Sequence, residues 1–187
     1  MPSPEALEFL LTRRSRPPRL LTAPGPHRAQ IGELLTAATR VPDHGKLEPW
    51  RFIVLSGGGL AGFAAAIRAR AAQTGADPDK GALAFEQAPV SIVVVASPKP
   101  SDKIPEIEQT LSAGAAALSL LNAALAAGWG ASWLTGWAAY DRDLLEQVLG
   151  LKPGEWVTGF VHLGTSPSPV PDRPRPDVAA LTTWIDA

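Results

Sequence analysis

The sequence predicts a layered sandwich of helices and strands, of α/β or α+β type. Two observations carry this. Stretches of helical apolar periodicity alternate with short β-branched or aromatic runs, and few hairpin signals join neighbouring strands. The 17 glycines and 19 prolines among 187 residues also punctuate the chain more heavily than a helical bundle requires.

The elements follow in order. Pro4 to Thr12 is an amphipathic helix: Leu7, Leu10 and Leu11 share a face, Glu5 and Glu8 come early, and Arg13 and Arg14 close it where the helix dipole favours cations. Residues 16–26 form a proline-rich loop. Residues 28–40 are a second amphipathic helix, with Ile31, Leu34, Leu35 and Ala38 at helical spacing, ended by Val41-Pro42-Asp43-His44-Gly45. A strand covers 50–55. Gly57 to Gly59 turns the chain into a third helix from 60 to about 73, and 75–81 is a polar loop. Residues 88–96 hold the continuous run Ser91-Ile92-Val93-Val94-Val95, which reads as a strand buried on both faces. Residues 106–127 are a long helix, 130–137 a third strand, Asp141 caps a helix to residue 149, and 155–163 is a fourth strand. Five prolines between Pro167 and Pro176 then stiffen a tail that ends in Val178, Leu181, Trp184 and Ile185. Twelve residues of such chain reach roughly 37 Å. The expected organisation is a domain over 1–164 and a docking tail over 165–187.

Composition removes several classes of function. With no cysteine, disulfide scaffolds, zinc-thiolate sites, iron–sulfur clusters and cysteine nucleophiles are excluded. A net charge of −1 without a concentrated basic face does not fit a nucleic-acid binder. The N-terminus has no basic segment before an apolar stretch, so no signal peptide is expected and the expected location is cytoplasmic. Residues 109–140 carry no charge and exceed the ~20 residues that span a bilayer. Ser112, Ser119, Asn122, Gly128 and Gly130 interrupt them, and no basic flank orients them. A helix buried inside protein is expected there.

Four constellations are candidates for chemistry. Gly57-Gly58-Gly59-Leu60-Ala61-Gly62 fits a dinucleotide-binding fingerprint with Asp77 or Asp79 as its acidic partner, although no second strand presents either. The alternatives are a Rossmann-type NAD(P) dehydrogenase and a plain glycine turn. Arg13-Arg14-Ser15 places two guanidiniums and a hydroxyl side by side, suited to a phosphate or to a solvated helix end. Arg40-Val41-Pro42-Asp43-His44, followed by Pro49-Trp50-Arg51-Phe52, is a proline-bracketed loop able to offer polar groups to a ligand. His27 and His162 stand apart from it, and no metal-ligand spacing occurs. Finally, in 128–137 a strand would put Trp129, Trp133 and Trp137 on one face, as a flat ligand's wall or as core. No nucleophile elbow, Walker A loop or H-E-x-x-H is present. An enzyme built this way needs a cofactor to carry its chemistry.

In order, Arg13-Arg14-Ser15, Arg40-x-Pro-Asp-His44 with Pro49-Trp50-Arg51-Phe52, Ser112-Ala-Gly114, Gly128-x-Gly130 and Gly159-Phe-Val-His-Leu-Gly164-Thr165 resemble the nitroreductase-like FMN flavoprotein family. Within it they are most similar to the YdjA-like NAD(P)H nitroreductase subgroup. The resemblance implies an α+β three-layer sandwich with a mostly antiparallel central sheet, assembled as an intertwined homodimer with FMN at the interface. Arg13 and Ser15 would bind FMN phosphate and ribityl with Arg14 adjacent. Arg40 and His44 would come from the partner subunit, and Trp133, Leu134 and Thr135 would line the ring. Ala123, Ala124, Leu125, Ala126, Ala127 and Gly128 resemble an NAD(P)-binding segment. The implied activity is reduction of a nitroaromatic, quinone or related small acceptor by NADH or NADPH, with no catalytic side chain. A flavin-free binding or structural dimer of the same fold is the other reading. Relatives often carry a C-terminal basic pair for the phosphate; here only Arg173 and Arg175 stand in a comparable place.

Overall fold

A computed structural model describes residues 2–185. Its central strand is β2 (Val90–Ala96), buried at every position. Helices cover both faces of the sheet. Val93 and Val95 point into a core with Phe63 and Ile67 of α3 (Gly58–Thr74), Phe85 of α4 (Pro78–Gln87) and Leu145 of α6 (Arg142–Leu149). Ile92 and Val94 point the opposite way, toward Ile31 and Leu34 of α2 (Arg28–Ala38) and Leu120 of α5 (Glu106–Ala126). This is the period-2 alternation of a strand with both faces covered. Burying each such side chain contributes roughly 1.5–3 kcal/mol.

The sheet order is β1-β2-β4-β3, with β1 at Trp50–Ser56, β3 at Gly130–Leu134 and β4 at Trp156–Gly164. Every neighbouring pair is antiparallel. The class is therefore α+β in three layers. An antiparallel β1–β2 pair contains no parallel βαβ unit, which removes the Rossmann reading of Gly57 to Gly62. Asp77 has another task. It caps α4, its Oδ1 accepting from the amides of Asp79 (3.0 Å) and Lys80 (3.2 Å), with Pro78 in the first turn. The expected polar loop at 75–81 thus contains the start of a helix.

Two departures from the expected strands shape the site. Val94 pairs with Gly159 and Val95 with Val157, so Thr158 bulges out of β4. The extra residue lets Val157 and Phe160 face the same core. The third strand also stops at Leu134 rather than 137, where its ladder with Phe160 ends. The three tryptophans consequently do not share a face. Trp129 precedes the strand, Trp133 packs on the α2/α5 side, and Trp137 packs on the other side, its indole donating to the Asp77 carbonyl at 2.9 Å.

Helix α5 is long and apolar enough to cross a membrane, yet it lies on the sheet. Ala113, Ala116, Ala117, Leu120 and Ala124 are fully buried. Two of its polar side chains are docked as well: the Gln109 amide exchanges bonds with the backbone of Lys99, and the Ser112 hydroxyl donates to the Pro42 carbonyl. Burial all round is not what the single chain shows, because Ile107 and Leu111 on the far side are more than 60 % exposed. After β4, Thr165 pairs with Thr22, and the apolar tail residues Val178, Leu181, Trp184 and Ile185 remain in solvent.

Candidate active site: an arginine cavity along the free edge of the third strand

Helix α1 (Pro4–Thr12) ends when Arg13 turns to φ −54°, ψ 142°, its amide still donating to the Phe9 carbonyl. Three residues later the Arg16 amide donates to the Ala131 carbonyl at 2.7 Å. That bond ties the segment to β3, the strand at the end of the sheet. Pro17 and Pro18 follow, and a residue before proline is held in extended conformation. Arg13, Arg14 and Arg16 thereby meet in one open cavity of about 350 Å³, walled by Phe9, Trp129 and Gly130. Arg14 donates to the Pro171 carbonyl and, at 3.2 Å, to Asp172 Oδ1, both on the tail. Asp172 also accepts from Arg175. Ser15 is exposed beside the cavity.

The segment Ala123 to Gly128 reaches the same cavity. Leu125 and Gly128 line it, Ala126 and Ala127 are exposed, Ala123 is half-buried, and Ala124 is fully buried in the α2/α5 core.

Trp133, Leu134 and Thr135 sit at the other end of β3. Thr135 is four positions beyond Ala131, about 13 Å at the rise of a strand. The Trp133 indole lies over Gly159 and donates to the Thr158 carbonyl at 3.2 Å. A Cβ at Gly159 would overlap that ring, so the absent side chain is what lets the indole lie there. Leu134 and Thr135 are exposed and, with Gly136, roof a small cavity over Phe85, Phe160 and His162.

His162 is a group the sequence motifs did not mark as part of this region. It is 1 % exposed, with Nδ1 2.7 Å from Ser91 Oγ. Burial pushes its pKa down to about 4, so the ring is neutral at pH 7. Ser91, His162 and Ser132 stand in register across β2, β4 and β3. The available signal was a serine at the start of an otherwise apolar β-branched run, which needs a polar partner once buried.

Arg40 and His44 lie on the connection between α2 and β1. The Asp43 carboxylate accepts from the amides of Leu47 (3.1 Å) and Glu48 (2.9 Å), folding the loop tightly. Lys46 and Glu48 take left-handed φ of 54° and 49°, a conformation that costs each on the order of 1–3 kcal/mol and clusters at functional sites. The loop is pinned to α5: the Trp50 indole donates to Ser112 Oγ at 3.1 Å, and His44 Nδ1 is 2.6 Å from Glu108 Oε2. Arg40 is exposed. Neither Arg40 nor His44 lines the arginine cavity of its own chain.

Known proteins share this fold. The Nitroreductase family matches residues 10–165. The Escherichia coli (strain K12) protein named "Putative NAD(P)H nitroreductase YdjA" is 36 % identical over 164 residues, covering 86 % of this chain and 88 % of that protein. Among solved structures, a nitroreductase-like family protein from Bacillus cereus superposes with a TM-score of 0.83 at 23 % identity, covering 100 % of this chain and 99 % of the other. A Desulfovibrio desulfuricans structure, described as "a putative nitroreductase in complex with fmn", gives 0.77 at 22 % identity with both chains covered in full. With the fold shared end to end and the family match running from α1 through Thr165, this chain belongs to the nitroreductase family, a family of oxidoreductases.

Proposed function

We propose that this protein is an FMN-dependent NAD(P)H oxidoreductase that reduces nitroaromatic, quinone or related small acceptors. The observation that carries the reading is the pairing of two features along one strand edge. Arginines gather at one end of β3, and the exposed residues Leu134 and Thr135 lie at the other. Arg13 forms no ion pair with a described carboxylate, so its charge is free for a ligand. Arg13 and Ser15 would hold the phosphate and ribityl hydroxyls, with Arg14 beside them. Trp133, Leu134 and Thr135 would line the ring, their backbone amides serving as preorganised donors at its edge. FMN, when bound, supplies the hydride chemistry, taking two electrons from NADH or NADPH and passing them to the acceptor in a ping-pong sequence. The relative named as an NAD(P)H nitroreductase and the FMN-bound structure of the same fold support this assignment.

The test is spectroscopic. The purified protein should be yellow and release FMN on denaturation. Arg13→Ala should weaken FMN roughly 10- to 150-fold, the worth of a charge-assisted contact. Lys103→Ala, an exposed cation elsewhere, should change nothing. A colourless protein that takes up no FMN would instead favour a flavin-free binding role for the fold.

The site is completed by a homodimer in this reading, with Arg40 and His44 supplied by the partner subunit. Ile107, Leu111, Gly114 and Leu118 line the outward side of α5 at spacings of three and four residues. Helix α1 buries none of its residues, and Leu7, Leu10 and Leu11 are 56–67 % exposed. The tail's Trp184 and Ile185 are exposed as well, and exposed apolar side chains of this kind suit an interface. A two-fold axis pairs like surfaces with each other. Leu118→Glu should convert a sedimenting dimer to monomer and lower flavin content with it. Removing residues 178–187 spares Thr165 and Asp172, whose contacts are within the chain, and should lower dimer stability. A yellow, heat-stable dimer after both changes would contradict this assembly.

A further inference from the structure

Arg16 stands out among the residues of the arginine cavity. Its Nη1 is buried without a hydrogen-bond partner, and it forms no ion pair with a described carboxylate. Its backbone is fixed by the bond to the Ala131 carbonyl and by the two prolines that follow. A buried guanidinium nitrogen with no acceptor costs free energy unless something supplies one. The cavity it lines is open to solvent-borne ligands and contains no carboxylate in its wall.

We propose that Arg16 is a third anion-binding arginine of this site, and that Arg13 and Arg16 together hold a terminal phosphate monoester; the proposal rests on the flavin reading above. Charge supports the pairing. Asp172 already engages Arg14, which leaves two unpaired guanidiniums. A phosphate monoester carries about −1.5 to −2 at pH 7 because its second pKa is near 6. Two planar forks can offer it several N–H donors at once. The C-terminal arginines are less suited: Arg175 is bonded to Asp172, and Arg173 is exposed. The cavity should then bind a flavin mononucleotide in preference to riboflavin, which lacks the phosphate.

Apoprotein of the full chain, titrated with FMN and separately with riboflavin by flavin fluorescence quenching, tests this. Wild type should bind FMN far more tightly than riboflavin. Arg16→Ala should lose roughly 10- to 100-fold in FMN affinity and keep its riboflavin affinity. Arg16→Lys, which keeps the charge but not the fork, should fall between them, and it guards against a poorly folded alanine variant. Equal weakening of both flavins would show a structural role and overturn the proposal. So would unchanged FMN affinity in Arg16→Ala while wild type binds FMN normally. A wild-type protein that binds neither flavin would overturn the flavin reading and this proposal with it.

Discussion

Gly159→Ala should lower stability by on the order of 3–5 kcal/mol and strip the protein of flavin. The added Cβ would fall within the Trp133 indole and 3.1 Å from the Leu134 carbonyl. Both neighbours are held: the indole donates to Thr158 and packs on the α2/α5 core, and Leu134 is the last ladder residue of β3. Relief therefore requires expelling Trp133 or breaking the β3–β4 pair. Overpacking alone costs about 1–3 kcal/mol, and displacing the half-buried Trp133 adds part of the about 3–5 that a fully buried tryptophan is worth. The comparison is Gly62→Ala in α3, where a new Cβ meets nothing within 4 Å. That change should stabilise the helix by about 0.5–1 kcal/mol. Urea midpoints of the two variants should move in opposite directions, and a Gly159→Ala midpoint equal to wild type would contradict the packing described.

Glu155→Gln should be nearly as damaging, and it should alter the acid response. Glu155 is 5 % exposed and takes Arg51 in a two-pronged contact at 2.8 and 2.7 Å, while its Oε2 also accepts from the Lys152 amide. The Arg51 guanidinium is the first cause holding its pKa down at about 2. Breaking a buried pair costs about 3–5 kcal/mol. Arg51 is one-third exposed, so water partly compensates it and about 3 kcal/mol is expected. Because the folded-state pKa is depressed, the stabilisation is fully present above the ordinary glutamate range near 4.5 and is lost as pH falls toward 2. Wild type should therefore lose stability across that window and the Gln variant lose less. Parallel pH–stability curves would contradict the assignment.

Both residues illustrate how little a local motif says about its partners. Arg51 belongs to the Pro49-Trp50-Arg51-Phe52 run of the sequence, yet its partner in the ion pair, the buried Glu155, is 104 positions away. Gly159 was one letter of a family-like run, and only the sheet register reveals that Trp133 lies on it.

What the sequence determined by itself was set by near neighbours. The bounds of α1, the Asp141 cap of α6 and the two-sided burial of β2 each depend on periodicity or capping within a few residues. The gathering of Arg13, Arg14 and Ser15 at a helix end was legible for the same reason. The Asp77-Pro78 start of α4 is equally local, although its glycine and polar flanks also suit the loop expected there. Tertiary structure alone decided the rest. A β-branched run shows that both faces of a strand are covered, not whether its neighbours run parallel, and here all are antiparallel. The Thr158 bulge and the end of β3 at Leu134 follow from pairing between distant strands, and they separate the three tryptophans. Arg16 enters the site through one bond to Ala131, 115 positions along the chain. A contact of that span leaves no periodic trace in either segment, because each residue's type is compatible with many partners until the fold brings one of them within reach.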